Sequence, residues 1–271
     1  MTEVAPSDHL RDVYEQRGGE EYGEPVVPDP ALDRKFEVLT EEMAALLPVA
    51  SYLDAGCGDG RYLAALATLG PLPGRIVGVD IAESILDTAR RATAAAGVEP
   101  ELLRANLERL PLADAEFDLV VSVQVIEHLL DPAAGLKELA RVLKPGGTLL
   151  LSTDNRRNLI TRTLNAPRWA VARAARKRNS RVRLNFPHAS FGARDLGELM
   201  LAAGLAVDKT RTFRFSVVGV PPSVLRVLNR VDRRLPDAGV GDILLVVAHR
   251  AHPVGARPES ARADSGRAEN P

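Results

Sequence analysis

Short apolar runs separated by amphipathic stretches fill the chain between Ser51 and Ser152, and this alternation constrains the fold more than any other feature. Ser51 to Ala55, Arg75 to Val79, Glu101 to Arg104, Phe117 to Val123 and Thr148 to Ser152 have the length and apolar character of strands. Phe117 to Val123 reads as the middle strand of a parallel sheet, buried on both faces. Arg61 to Leu69, Glu83 to Ala96 and Pro132 to Leu143 read as helices between them. Gly97 suits a helix C-terminus, and Asp131 followed by Pro132 suits a helix start. An earlier helix over Ala31 to Leu47 gathers Leu32, Phe36, Leu39, Met43, Leu46 and Leu47 on one face and stops at Pro48. Strands and helices in this order predict a doubly wound α/β sheet.

Beyond residue 153 the pattern loosens. Ala193 to Ala203 is expected to be a helix ended by Gly204, and Leu205 to Val220 to contain a long strand. Pro222 to Leu235 is expected to be a further helix, and Ile243 to Ala248 a final strand. The expected organisation is a flexible acidic arm over 1–29, one domain over 30–250, and a disordered tail over 251–271. The domain carries a basic insert at 155–190 and a helical insert at 221–237.

Composition narrows the class. With aromatic residues at only 4%, the interior must come from Leu, Val, Ile and Ala. A net charge of -1 excludes a generally basic protein that coats nucleic acid. Cys57 is the single cysteine, so no intramolecular disulfide can form, which fits a reducing compartment. The acidic first thirty residues do not read as a signal peptide, and no apolar run reads as a membrane span. The expectation is a cytoplasmic protein, monomeric or homodimeric.

The chemistry concentrates in Leu53-Asp54-Ala55-Gly56-Cys57-Gly58-Asp59-Gly60, entered by a strand and left by a helix. Glycines there let the backbone pass close to a ligand, at the strand ends where open α/β sheets bind one. The spacing is G-x-G-x-G, not the G-x-G-x-x-G of a pyrophosphate turn. Asp54 would repel a pyrophosphate and would suit a ligand bearing an ammonium or sulfonium. Asp80 ends the second strand, where a carboxylate can accept from both hydroxyls of a ribose. Taken alone, the turn could be a tight connection and Asp80 a cap for the next helix. Asn106, after the third strand, could read an adenine edge or simply shape a turn. Ser122 to His128 closes the fourth strand.

Together these motifs resemble class I S-adenosylmethionine-dependent methyltransferases over roughly residues 30–250. The glycine turn, Asp80, Leu110-Pro111, Phe117-Asp118-Leu119-Val120 and Leu143-Lys144-Pro145-Gly146-Gly147 stand in the family's order. Val125-Ile126-Glu127-His128-Leu129 with Asp131-Pro132 is similar to ubiquinone-type O-methyltransferases and their small-molecule relatives. The resemblance implies a Rossmann-like sheet of seven strands, mostly parallel with the last antiparallel. It implies that S-adenosyl-L-methionine is the cofactor, with Asp54, Gly56, Cys57, Gly58, Asp80, Ile81, Asn106, Leu107 and Gln124 as binding residues. Many relatives carry Asp at the position of Asn106, and Asn can still contact adenine.

The implied reaction is methylation of a small, amphipathic or acidic molecule, on oxygen. A non-catalytic cofactor-binding or scaffold protein of the same fold is the alternative. A base helps if the acceptor is a hydroxyl, and His128 and His188 are the candidates. For each, a structural role in a turn or helix start competes. Glu127 with His128 could hold a divalent ion, but no further ligand spacing supports a metal, and none is expected. The acidic arm, with Tyr14 and Tyr22, could fold over the cofactor or stay disordered. Between Asn155 and Arg194 there are eleven Arg or Lys residues and no acidic one. This insert is a solvated face, a contact with an anionic membrane, or a site for an acidic acceptor. Scarce aromatics argue against nucleic acid as a partner. Val224 to Arg234 has an apolar face and a basic face, which adds to the membrane reading.

Overall fold

A computed structural model describes residues 10–16, 28–29, 32–158, 189–213, 221–234 and 237–251. Seven strands form one sheet: β1 (Ser51–Ala55), β2 (Arg75–Asp80), β3 (Glu101–Arg104), β4 (Phe117–Val123), β5 (Leu143–Asp154), β6 (Leu205–Phe213) and β7 (Ile243–Arg250). Their order is β3-β2-β1-β4-β5-β7-β6. The first five strands pair in parallel. β7 runs antiparallel between β5 and β6, so the last strand of the chain is the reversed one. The sheet is thus the seven-stranded, mostly parallel one expected.

Helices cover both faces because alternate residues of each central strand point opposite ways. Helix α1 is residues 10–16, and α2 to α5 are Arg34–Leu46, Arg61–Leu69, Glu83–Ala96 and Pro132–Val142. Helix α6 is Ala193–Ala202 and α7 is Pro222–Asp232. On one face, Leu53, Val79, Val120 and Leu151 bury against Leu136 and Leu139 of α5 and Met200 of α6. On the other, Tyr52, Leu119, Val121 and Leu150 bury against Met43 of α2, Leu63 of α3 and Leu86 of α4. The two cores hold the strand ends, and therefore the loops beyond them, in fixed positions.

Local signals explain several boundaries. The Asp131 side chain accepts from the amides of Ala133 and Ala134, both at 3.0 Å, and starts α5. Asp33 accepts from Phe36 N at 3.1 Å and starts α2. Gly97 ends α4 with φ 71°, in the left-handed region.

Other boundaries differ from expectation. β5 begins at Leu143, not Thr148, because Leu143 pairs with Phe117 ahead of a register shift between Phe117 and Leu119. The Lys144 to Gly147 turn is therefore an irregularity inside the strand. β6 ends at Phe213, and α7 at Asp232. Within the N-terminal arm, residues 10–16 are helical. Most of the basic insert (159–188, with His188) and the tail from 252 lie outside the described residues.

Candidate functional site

The glycine turn is built by hydrogen bonds as much as by composition. The amides of Gly56 and Cys57 both donate to the Val79 carbonyl, at 2.7 and 2.8 Å, folding the turn onto the end of β2. Gly56, Gly58 and Gly60 have φ of 85°, 54° and 77°, a region that costs other residues strain. Space is short at two of them. A Cβ on Gly56 would lie 2.3 Å from Val125 Cγ2, and one on Gly60 would lie 2.8 Å from Ala89 Cα. A Cβ on Gly58 would meet nothing within 4 Å, because Gly58 borders an open cleft.

Asp80 stands at the floor of that cleft and is 9% exposed. Its carboxylate accepts from Gly58 N at 3.0 Å and from Ala82 N at 3.2 Å. Burial raises its pKa, and these amide bonds oppose the rise. A carboxylate offers about four lone-pair sites, so two amides leave it able to accept from a diol.

Ile81, Asn106, Leu107 and Gln124 form the neighbouring wall. Asn106 does both things weighed for it. It lines the cleft, and its Oδ1 accepts from Glu108 N at 2.9 Å to shape the turn after β3. Gln124 has φ 57°, and its amide donates to the Ser152 carbonyl at 2.9 Å. That strained backbone turns its side chain into the cleft wall, where Nε2 is buried with no hydrogen-bond partner among the described residues. A buried donor of this kind is stabilised by a ligand acceptor.

Asp54 is placed differently. It is 1% exposed, lies behind the turn, and is not among the residues lining the cleft. Both of its carboxylate oxygens are buried without a hydrogen bond among the described residues. Burial, with the carboxylates of Asp80 and Asp59 adding to it, pushes its pKa up to about 8. Cys57 lines the cleft, and burial pushes its thiol well above the usual range, so it is not a thiolate nucleophile.

His128 lines the mouth at the end of a 3-10 turn, Ile126–His128. The Asp131-Pro132 turn is capped by Asp131 itself, so the described contacts do not require His128 to hold it. The His128 ring meets that of Tyr14 edge-on, with centroids 6.2 Å apart. Glu127 points away from the mouth, is 1% exposed, and accepts from Thr153 Oγ1 at 2.9 Å. Burial pushes its pKa up to about 7. Among the described residues no three His, Cys, Asp or Glu side chains gather into a metal site.

The roof comes from the N-terminal arm. Leu10 and Tyr14 of α1 line the cleft. Glu15 holds them there: its carboxylate accepts from the amides of Glu83 and Ser84, at 2.8 and 3.0 Å, and its carbonyl accepts from Ser84 Oγ at 3.0 Å. Glu15 thereby caps α4, whose own N-cap, Ala82, has no side-chain acceptor. Lys35, Tyr62, Ile85 and Leu129 also line the cleft and were missed in the sequence. Leu129 belongs to the 125–129 motif and Tyr62 follows the glycine turn, whereas Lys35 and Ile85 are brought there by helix packing.

Residues 53–151 match the methyltransferase domain family. A probable S-adenosylmethionine-dependent methyltransferase of Mycobacterium tuberculosis is 36% identical over 138 residues, which is 49% of this chain and 48% of that protein. A ubiquinone biosynthesis O-methyltransferase of Hahella chejuensis is 40% identical over 113 residues, 41% of this chain and 46% of that protein. The chain thus spans about half the length of the curated relatives it matches. Among solved structures, a SAM-dependent methyltransferase from Thermotoga maritima aligns with a TM-score of 0.57 at 22% identity, covering 89% of this chain and 100% of that one. The [4+2]-cyclase SpnF aligns with a TM-score of 0.62 at 16% identity, covering 90% and 97%. At these identities the structures establish the shared fold.

Proposed function

We propose, from the premise that this chain carries a methyltransferase domain of the S-adenosylmethionine-dependent kind over residues 53–151, that it transfers a methyl group to a hydroxyl of a small amphipathic or acidic molecule. The observation that carries the reading is the joining of four strand ends in one cleft. There the glycine turn is folded onto Asp80, and Gln124 presents a buried, unsatisfied donor.

The donor set fits the cofactor. Asp80 would accept from the ribose hydroxyls, Asn106 and Leu107 would border the adenine, and the open space at Gly58 would admit the amino-acid portion. Asp54, its pKa held up to about 8 behind the turn, would ionise more readily as a cationic group approaches. When bound, the cofactor supplies a methyl carbon already activated by its positive sulfur. The chain's task is then alignment and exclusion of water, and orientation can contribute ~7–11 kcal/mol. Leu10, Tyr14 and Leu129 shield the cleft. His128, at the mouth, is one candidate to take the proton of an acceptor hydroxyl, a role worth ~10²–10⁴-fold. His188 is the second candidate for that role. Lys35 lines the same mouth and suits an acidic group on the acceptor. The O-methylation reading draws support from the ubiquinone-type relatives.

Calorimetric titration with S-adenosylmethionine and with its demethylated product tests the reading. Binding of both is expected, with loss in Asp80→Ala. Absence of binding by either at millimolar concentration would sink it. His128→Ala and His188→Ala then separate the two candidate bases, since only the true one lowers turnover while leaving cofactor affinity intact.

A further inference from the structure

Helix α7 presents two unlike stripes to solvent. Val224, Val227 and Val231 are 42%, 55% and 48% exposed and recur at helical spacing. Beside them run Arg226, Arg230 and Arg234, all exposed. Among the described residues of the helix, no acidic side chain stands on this outer face. Asp232, the only acidic residue of the helix, points inward, 2.9 Å from Arg34 Nε. Arg226 lies 3.9 Å from Asp29, while Arg230 and Arg234 form no ion pair among the described residues.

The opposite side of α7 is anchored firmly. Buried Arg34 of α2 bridges Asp232 and Glu37, and Arg233 reaches Glu37 at 2.7 Å. Asn229 Nδ2 donates to the Leu32 carbonyl at 3.2 Å. The helix therefore cannot roll to bury its valines without breaking a buried charge network. The amphipathic face is fixed outward. The inner side packs on the start of α2, the helix whose Lys35 lines the cleft.

We propose that the outer face of α7 docks on an anionic membrane surface. A valine stripe alongside an arginine stripe matches the acyl boundary and the phosphate layer of a bilayer, which lie side by side in the same way. A purely acidic partner would be met by the arginines alone and leaves the exposed valines unexplained. The docking itself does not depend on the methyl-transfer reading.

The test is co-sedimentation of the full chain with phosphatidylcholine vesicles, with and without phosphatidylglycerol. Pelleting is expected only with the anionic lipid, and it should weaken as salt rises. Arg226→Gln, Arg230→Gln and Arg234→Gln together should lower partitioning by about fivefold for each arginine removed. Val224→Ser, Val227→Ser and Val231→Ser together should lower it as well, while binding to heparin stays unchanged. If the valine set misfolds by circular dichroism, the arginine set, at exposed positions, still decides. Recovery in the supernatant with both vesicles overturns the proposal, as does wild-type partitioning by both variant sets. Concentration-dependent dimerisation of the parent that the valine set abolishes would instead make this face a contact between copies, and would also overturn it.

Discussion

At the scale of single residues, burial sets up two linked effects around the glycine turn. Asp54 keeps its proton in the folded chain up to about pH 8, whereas the unfolded chain releases it near the ordinary carboxylate value of ~3.9. Between those values the fold binds more protons than the unfolded state, so stability falls as pH rises and levels off above pH ~8. Glu127, pushed up to about 7, acts in the same direction over a narrower window. Asp54→Asn cannot ionise, so chemical denaturation should show a shallower pH dependence. The variant should exceed the parent in stability at pH ~8 and match it near pH ~4. A parallel curve for the two proteins would show that Asp54 is solvated in solution. Gly56→Ala combines a φ of 85° with a Cβ only 2.3 Å from Val125 Cγ2. We expect a loss of ~1–3 kcal/mol from strain alone. Adding Val125→Ala should restore part of it, because the clash goes and the backbone strain stays.

At the scale of elements, α1 depends on one carboxylate. Burial raises the Glu15 pKa, but hydrogen bonds from Ser84 and Glu83 outweigh it and hold the value below the usual range. The latch is therefore complete above pH ~4.3 and is lost as pH falls through the lowered value. Glu15→Ala removes the cap of α4, worth about 1 kcal/mol, and frees the roof. Limited proteolysis should cut within residues 10–16 faster in the variant, and Glu15→Gln, which keeps acceptor oxygen, should fall between. Equal cleavage in all three would mean that Leu10 and Tyr14 hold the helix without it. Helix α7 is anchored in part by Arg34: Arg34→Ala removes a buried guanidinium from both Asp232 and Glu37, and breaking a buried pair of this kind costs ~3–5 kcal/mol.

These two docked helices also mark where the sequence stops being legible. Ser51–Ala55 and Phe117–Val123 were readable to the residue, because strand runs and the glycine turn are local signals. The cap that docks α1 joins residues 68 positions apart, and the bridge that docks α7 joins residues 198 apart. No periodicity encodes such pairings. Lys35 and Ile85 escaped for the same reason, being placed at the cleft by the packing of whole helices. Asp54 sits in the same motif as cleft-lining Gly56, Cys57 and Gly58, and its burial behind the turn is set by packing that the motif does not encode.

At the scale of the whole molecule, the sheet divides into a rigid centre and removable margins. β2, β1, β4, β5 and β7 are paired on both sides, and each carries fully buried side chains. β3 is an edge strand of four residues with no fully buried side chain. Helix α1 is held by Glu15 and its two cleft-facing side chains, and α7 by its inner face alone. Amide exchange should rank accordingly, slowest in the five inner strands and fastest in α1 and α7. The cleft touches only some of these parts. Its floor is the turn at 56–60, its wall is the ends of β3 and β4, and its roof is α1. A ligand that binds there should slow exchange in 10–16, 56–60 and 105–107 and leave α7 unchanged, because no residue of α7 lines the cleft. The demethylated cofactor is the probe, since it binds without turning over. Protection that spread equally to α7 would mean that the cleft and the outer helix form one cooperative unit, and that occupancy of the site and exposure of the valine-arginine face are coupled. Protection confined to the cleft keeps the two independent, so that loading the site leaves the outer helix face unaltered.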